Sequence, residues 1–525
     1  MYENIKPLKV NIISDIHYYS KETGISGKAF EKENAKTPND LVNCEEILSS
    51  LMDQLAEDES DIVLVSGDVT TRAEREAHEG VIKLLRSLKE RGKKVYVITA
   101  THDYHDGDVT RKYVGDEAVQ VPSVKRDELF ELYREFGPDE AIAVHRESMS
   151  YIVQLCDGYR LFALNDDSNR KNGSGFSEEC FEWISEQIKD ANEKGQFIIP
   201  MTHHPMLSPS PFYKIIGGGN IMKDPDKRID QLTEMGVNYM FTGHTHMQDI
   251  SYKITEKGKV FYDITTAAAV GYPATFRQVT FLPAEGKIDV SSADVQCDID
   301  GRPLKEHLED KFFGMIRRVI AAAGNNIPEF AKMATAFSVK EKLIYKIGWI
   351  IKPFAKLLGK LKIGTIAKLV KKESGLKKKD YAHIKDQKVV DFIVSLVRNL
   401  YGGDSPYSPD TAEYKITMGV LAVIDSLLKL FGVKIGKLVK GAESVQSLVE
   451  PLLYNPGICD EKALLNLYEN IPEPLDGKAG FVKSNKGLGV VIILALLVIV
   501  FLPIILLWLG FGFVINKIKY GKLMK

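Results

Sequence analysis

Phe241-Thr-Gly-His-Thr-His246 places two histidines one residue apart behind a glycine, so His244 and His246 share one side of an extended or turning backbone. Two neutral imidazoles that converge form a metal-ligand arrangement, since imidazole suits zinc, iron, copper and nickel. Such a site needs harder oxygen ligands too, and Asp15-x-His17, Gly67-Asp68 and Thr101-His102-Asp103 upstream offer them, while His203-His204 offers further imidazoles. Taken singly, a buried His or a strand-end Asp is usually a turn or helix cap. Jointly that reading fails, because nine of the eleven histidines precede residue 250 and six of those nine fall in these ordered blocks.

The elements that must position these residues are strands. Apolar runs precede each block: Val10 to Ile13 before Asp15, Ile62 to Val65 before Asp68, Val95 to Ile98 before His102, Phe197 to Ile199 before His203, and Tyr239 to Phe241 before His244. Ligands of α/β sheets gather outside the carboxyl ends of the strands. Five strand ends therefore deliver Asp15, His17, Asp68, His102, His203, His244 and His246 to one edge. Between them, Glu45 to Leu55, Ala73 to Gly92 and Glu178 to Glu193 read as helices, a strand–helix–strand rhythm that implies an α/β sheet. Ser150 to Leu164 reads as two strands about the Asp157-Gly158 turn, Asp106 to Arg126 as an irregular wall, and Val260 to Ile264 and Gln278 to Leu282 as closing strands. The Pro- and Gly-rich Pro205 to Gly219 follows the His-His pair as a loop, where substrate choice usually resides.

The order Asp-x-His, Gly-Asp, His-Asp, His-His and Gly-His-x-His over residues 8 to 290 resembles the calcineurin-like metallophosphoesterases. That resemblance implies two facing β-sheets flanked by helices, an αββα sandwich, over residues 1–300. It also implies a dinuclear centre of transition-metal ions, manganese, iron or zinc. Asp15, His17 and His246 would hold the first ion, Asp68 would bridge, and His203 and His244 would hold the second. His102 would face the scissile phosphate and serve the leaving group, with Asp103 orienting its imidazole. The sequence departs from the family at Thr101, where an asparagine is expected; a hydroxyl is a weaker neutral ligand than an amide carbonyl for a hard cation. His204 and His105 read as pocket lining, and His78 and His145 as surface or structural residues. Arg277 reads as an ordinary surface residue.

The chemistry that suits this set is hydrolysis of a phosphomonoester or phosphodiester. Two metal ions roughly 3.5–4 Å apart neutralise the phosphoryl oxygens and lower the pKa of a bound water towards about 7, so a metal-bound hydroxide attacks in line while His102 protonates the leaving oxygen. The alternative is a degenerate member of the family that keeps the fold as a membrane scaffold or binding module, with Thr101 as the first sign of decay.

The remaining sequence points to a membrane. The chain has 525 residues, 44% hydrophobic and 27% charged, which suggests more than one domain. Its net charge of −2 hides an asymmetry: Lys340 to Asp386 holds fourteen Lys against four acidic residues, a local +10 that leaves the rest near −12. Nucleic-acid binding is not indicated for the N-terminal part. The five Cys show no Cys-x-x-Cys spacing and imply neither a disulfide framework nor structural zinc. Residues 301–480 change to long helical periodicity, with helices expected at Phe312 to Ala323, Val339 to Leu358, Val389 to Leu400, Ala412 to Leu430 and Ala442 to Leu453. Gly487 to Ile515 then runs 29 residues without a charge, long enough to span a bilayer as a helix. A basic tail, 516–525, follows. With no signal peptide in Met1 to Lys9, the reading is a single-pass protein whose phosphoesterase faces the cytoplasm, with the Lys-rich region as a second membrane contact.

Overall fold

The structure, a computed structural model, describes residues 2–107, 109–167, 173–209, 221–335, 340–403, 405–430, 443–454 and 457–468. Within it, Ile62–Ser66 illustrates how the sequence makes layers. Val63 and Val65 pack under the helices Cys44–Glu57 and Arg75–Glu90, while Ile62 and Leu64 join the core between the sheets. Alternate residues of a strand face opposite ways, so a strand covered on both sides is apolar throughout.

The strands in chain order are β1 (Leu8–Ile13), β2 (Ile62–Ser66), β3 (Lys94–Ile98), β4 (Arg111–Val114), β5 (Glu117–Gln120), β6 (Ala141–His145), β7 (Ser150–Cys156), β8 (Tyr159–Ala163) and β9 (Phe197–Met201). They continue as β10 (Tyr239–Thr242), β11 (Asp249–Ile254), β12 (Val260–Thr265), β13 (Thr275–Leu282), β14 (Lys287–Asp294), β15 (Asp298–Ile299), β16 (Arg302–Pro303) and β17 (Lys462–Asn466). One sheet has the order β17-β14-β13-β1-β2-β3 and the other β11-β12-β10-β9-β8-β7-β6. β1, β2 and β3 run parallel, as do β8, β9, β10 and β12. Val10, Ile12 and Ile98 of the first sheet meet Leu161, Ile199, Phe241 and Ile264 of the second. The helices Glu178–Glu193 and Pro225–Glu234 cover the outer face of the second sheet through Ile184, Ile188, Ile229 and Leu232. The expected αββα sandwich is thus present, and the long helices expected after residue 300 form at Leu304–Asn325, Glu341–Leu358, Val389–Gly402, Ala412–Leu430 and Val445–Leu453.

The structure differs from the sequence reading in three places. Asp106 to Arg126 is not irregular throughout: β4 and β5 pair as a hairpin in which Tyr113 turns inward onto Phe30. The charged residues on its outward face conceal the strand pattern. Arg277 is no surface residue; it is 0% exposed and donates to the carbonyls of Asp249, Thr265 and Asp460 and to Ser292 Oγ. Finally, the sandwich does not close at residue 282 or end at 300. β14 extends the first sheet, and β17 pairs with it from Ser291↔Lys462 to Lys287↔Asn466. Leu304, Leu308, Phe312 and Phe313 enter the same core cluster as the helix Cys44–Glu57, and Tyr272 packs against both phenylalanines.

Among the described residues no helix is long and apolar enough to cross a membrane. The span expected at 487–515 and the tail 516–525 lie outside the described residues, as do 210–220 of the loop after the His-His pair. None of the five cysteines is in a disulfide.

Candidate metal centre

β1 and β2 continue past their ends in register, with Asp15 N–H donating to Gly67 O at 3.1 Å and His17 N–H to Asp68 O at 3.0 Å. β9 and β10 do likewise in the other sheet, where Gly243 N–H donates to His203 O at 2.9 Å. At this edge the sheets touch: His244 N–H donates to Asp15 Oδ2 at 2.8 Å, and His203 Nδ1 lies 2.8 Å from Ser66 O. A Cβ on Gly243 would stand 1.8 Å from Ser14 Oγ and 2.6 Å from Asp15 Oδ2, and one on Gly67 2.6 Å from His203 Nδ1. These two glycines are what lets the sheets approach.

The result is two groups of ligand atoms, Asp15–His17–His246 and Asp68–His203–His244, each within 4.8 Å of one another. His17 Nε2 and His246 Nε2 are 3.0 Å apart, and Asp15 Oδ1 lies 3.6 and 3.4 Å from them. His203 Nε2 is 3.1 Å from Asp68 Oδ2 without hydrogen-bond alignment. Asp15 Oδ1, His203 Nε2 and His244 Nδ1 are buried with no hydrogen-bond partner. Burying unpaired polar atoms is costly; a cation in the first group would satisfy Asp15 Oδ1, and one in the second would satisfy His203 Nε2 and His244 Nδ1. The donor set, two carboxylates and four imidazoles, suits transition metals, so the residues present fit the dinuclear group that the sequence implies.

Five of these six residues carry left-handed backbone: Asp15 (φ 48°), His17 (43°), Asp68 (49°), His244 (68°) and His246 (59°). Non-glycine residues held there cost on the order of 1–3 kcal/mol each, and such strain clusters at functional sites. Asp and His are among the residues that tolerate this region best, which explains how the chain sustains five of them.

Burial would raise the Asp15 carboxyl, but His17 and His246 hold it well below the usual carboxylate range. Burial likewise opposes charge on His203, yet the Asp68 and Asp15 carboxylates lift its imidazole well above the ordinary histidine value. His244, buried beside His204 and His203, is pushed well below it.

His102 is exposed beside His17, ring centroids 5.0 Å apart. Its Nδ1 lies 2.8 Å from Thr71 O, which assigns the Nδ1 proton and leaves Nε2 free for proton transfer. The orienting contact expected from Asp103 is therefore made by a backbone carbonyl. Asp103 instead accepts from Thr70 N–H at 2.8 Å and Ala100 N–H at 2.7 Å, and so positions the Thr70–Thr71 turn that carries that carbonyl. Burial and the Asp68 charge raise its carboxyl to about 7. His78, buried and pushed down to about 4 by desolvation, bonds Asp103 O at 2.9 Å and Tyr133 Oη at 2.8 Å.

Of the remaining expected residues, Thr101 is exposed on the loop after β3. His204 is buried, its ring 4.2 Å from that of His244. His105 is exposed with its ring turned to Gly107 O, outside both groups. His145 bonds Ser148 and packs on Trp183, a structural role. The sequence reading missed Asp166, which accepts from His204 N–H at 2.8 Å and lies 3.0 Å from its Nδ1. Its signal was present, since Asp166 follows the apolar run Leu161 to Leu164 just as Asp68 follows β2. The reading also missed the support below His246: Gln248 N–H donates to Tyr401 O at 3.0 Å and Ile250 N–H to Asp460 Oδ1 at 2.6 Å. The helical region thus braces the segment that carries two candidate ligands, His244 and His246.

Gly243→Ala tests the close approach. The new methyl group displaces the Ser14 hydroxyl and the Asp15 carboxylate, which are side-chain ends able to rotate away. The expected result is metal affinity weakened about 10–100-fold, the size of other losses of ligand orientation, with the melting of the metal-free chain little changed. Calorimetric titration with Mn²⁺ reads it, and unchanged affinity would show that Asp15 is not a ligand.

Residues 8–248 match the calcineurin-like phosphoesterase family. No sequence among the curated proteins matches the chain. Similar solved structures include a dimetal phosphatase from Danio rerio, at 12% identity and a TM-score of 0.38, covering 56% of this chain and 98% of that one. A purple acid phosphatase, PPD1, from yellow lupin seeds is 13% identical with a TM-score of 0.34, covering 57% of this chain and 53% of that one. Vacuolar Protein Sorting 29 from Cryptosporidium parvum is 12% identical with a TM-score of 0.23, over 56% of this chain and 94% of that one.

Proposed function

We propose, taking residues 8–248 as a calcineurin-like phosphoesterase domain, that the chain is a metal-dependent hydrolase of phosphate esters with a dinuclear centre. The observation that carries this is the pair of ligand groups with buried, unpartnered atoms at Asp15, His203 and His244. Asp15, His17 and His246 would hold one ion and His203 and His244 the other, with Asp68 shared. Two such ions supply charge neutralisation for the phosphoryl oxygens and a nucleophile at neutral pH. The chain supplies the proton: His102, its Nδ1 committed to Thr71 O, presents Nε2 to the leaving oxygen. Asp166 holds His204, whose ring packs on that of His244 beside the second ligand group. The uncharged run at 487–515 supports a bilayer tether that keeps this domain at a cytoplasmic membrane face.

The test is made on the full chain: metal content by elemental analysis, and hydrolysis of a chromogenic phosphomonoester and a chromogenic phosphodiester. About two ions per chain and hydrolysis abolished by chelation and restored by Mn²⁺ or Zn²⁺ are expected. Bound metal with neither ester hydrolysed would overturn the enzyme in favour of a binding module, and Thr101 would then be the first residue to restore to asparagine.

A further inference from the structure

The helices Ile363–Leu369 and Lys371–Ser374, and the turns up to Tyr381, form a two-sided surface layer. Its inner side, Ile363, Ala367, Val370, Leu376 and Tyr381, packs with Phe392, Ala412, Ile416 and Leu453. Its outer side carries Lys368, Lys371, Lys372, Lys377, Lys378 and Lys379, all exposed. Among the described residues none of these six is in an ion pair, although Lys362 and Asp386 nearby do pair at 2.9 Å. Over residues 368–379 Glu373 is the only acid, so the stretch has a net charge of +5. Amid these lysines Leu369 is 67% exposed, its side chain directed away from the core that takes Ala367 and Val370.

An apolar side chain held outward and ringed by unpaired ammonium groups is the composition of a peripheral membrane contact, in which lysines bind anionic headgroups and the apolar tip enters the interface. A nucleic-acid partner would use the charge but would leave the outward leucine without a role. We infer that the Lys368–Lys379 face docks on an anionic lipid surface, with Leu369 as its wedge. This does not depend on the phosphoesterase reading. It fits the proposed tether at 487–515 but has a separate test.

The full chain is placed in nanodiscs of phosphatidylcholine alone or with phosphatidylserine, carrying a nitroxide on Leu369→Cys with Cys156, Cys297 and Cys459 changed to Ser. Expected is a rise in the nitroxide's oxygen accessibility in the anionic discs at low salt, lost at high salt as the charges are screened. Each lysine near the surface strengthens partitioning about fivefold, so Lys371→Gln, Lys372→Gln and Lys378→Gln together should weaken docking about a hundredfold. Equal accessibility in both lipids, or a signal indifferent to salt, overturns the proposal. Should the chain not insert into discs, the tether fails instead, and co-sedimentation of the same chain with phosphatidylserine vesicles decides the face. Capture by RNA with no preference for phosphatidylserine vesicles also overturns it.

Discussion

Asp68→Asn is expected to abolish hydrolysis and to lower metal content, whereas His102→Ala slows hydrolysis about 10²–10⁴-fold, the usual contribution of a general acid, with metal content unchanged. Asp68 is 1% exposed, accepts from His102 N–H through Oδ1 at 2.9 Å, and points Oδ2 at His203. Asparagine keeps the shape but removes the charge and aims an N–H₂ donor where a cation belongs, so the ligand group next to His203 loses its anion. His102 makes its ring contact with Thr71 O alone among the hydrogen bonds described, and its removal leaves both ligand groups intact. Elemental analysis beside steady-state kinetics separates the two. Equal metal loss in both variants would show that His102 is itself a ligand.

A fragment ending at residue 300 is expected not to fold, and therefore to bind no metal, while a chain ending after Tyr468 retains the sandwich. The cut removes Leu304, Leu308, Phe312 and Phe313 from the core that they share with Ile13, Leu48 and Val65. Burying such side chains contributes about 1.5–3 kcal/mol each, so these four alone account for roughly 6–12 kcal/mol, against a typical total stability of about 5–15 kcal/mol. The cut also takes β17 from the edge of the first sheet, the Asp460 carbonyl from the buried Arg277, and both braces from Gln248 and Ile250. Circular-dichroism melts of the two chains decide the matter. A cooperative melt of the 300-residue fragment, with Mn²⁺ binding equal to that of the longer chain, would show that the helical region is a detachable appendage.

Much of the candidate site was legible because it obeys a local rule. A ligand placed just past an apolar strand carries its mark within a few residues, as Asp68 does behind Ile62–Ser66 and His203 behind Phe197–Met201. The rule applied equally to Asp166 behind β8, and the reading overlooked it because no partner for that carboxylate is visible until His204 is folded against it. Thr71 was illegible for a different reason. A backbone carbonyl has the same chemistry at every residue, so nothing in the side-chain sequence distinguishes the one that holds His102. Arg277 looked like surface because a lone arginine in a strand usually is; its burial depends on three carbonyls, one of them supplied from Asp460.

By itself, then, the sequence determined the types and order of the six candidate ligands, the alternation that builds two sheets buried on both faces, and the change to helical periodicity after residue 300. Those properties are written in spacing, and spacing survives without tertiary contacts. Only the tertiary structure decided that Asp15 and His246 meet across two sheets at an edge opened by Gly67 and Gly243. It also decided that five candidate ligands sit in left-handed backbone, and that Lys462–Asn466 returns to pair with Lys287–Asp294. The physical reason is common to all three. Backbone dihedrals and ladder hydrogen bonds are imposed by whatever packs alongside, and a strand that finds its partner about 170 residues away leaves no mark of that pairing in its own residues.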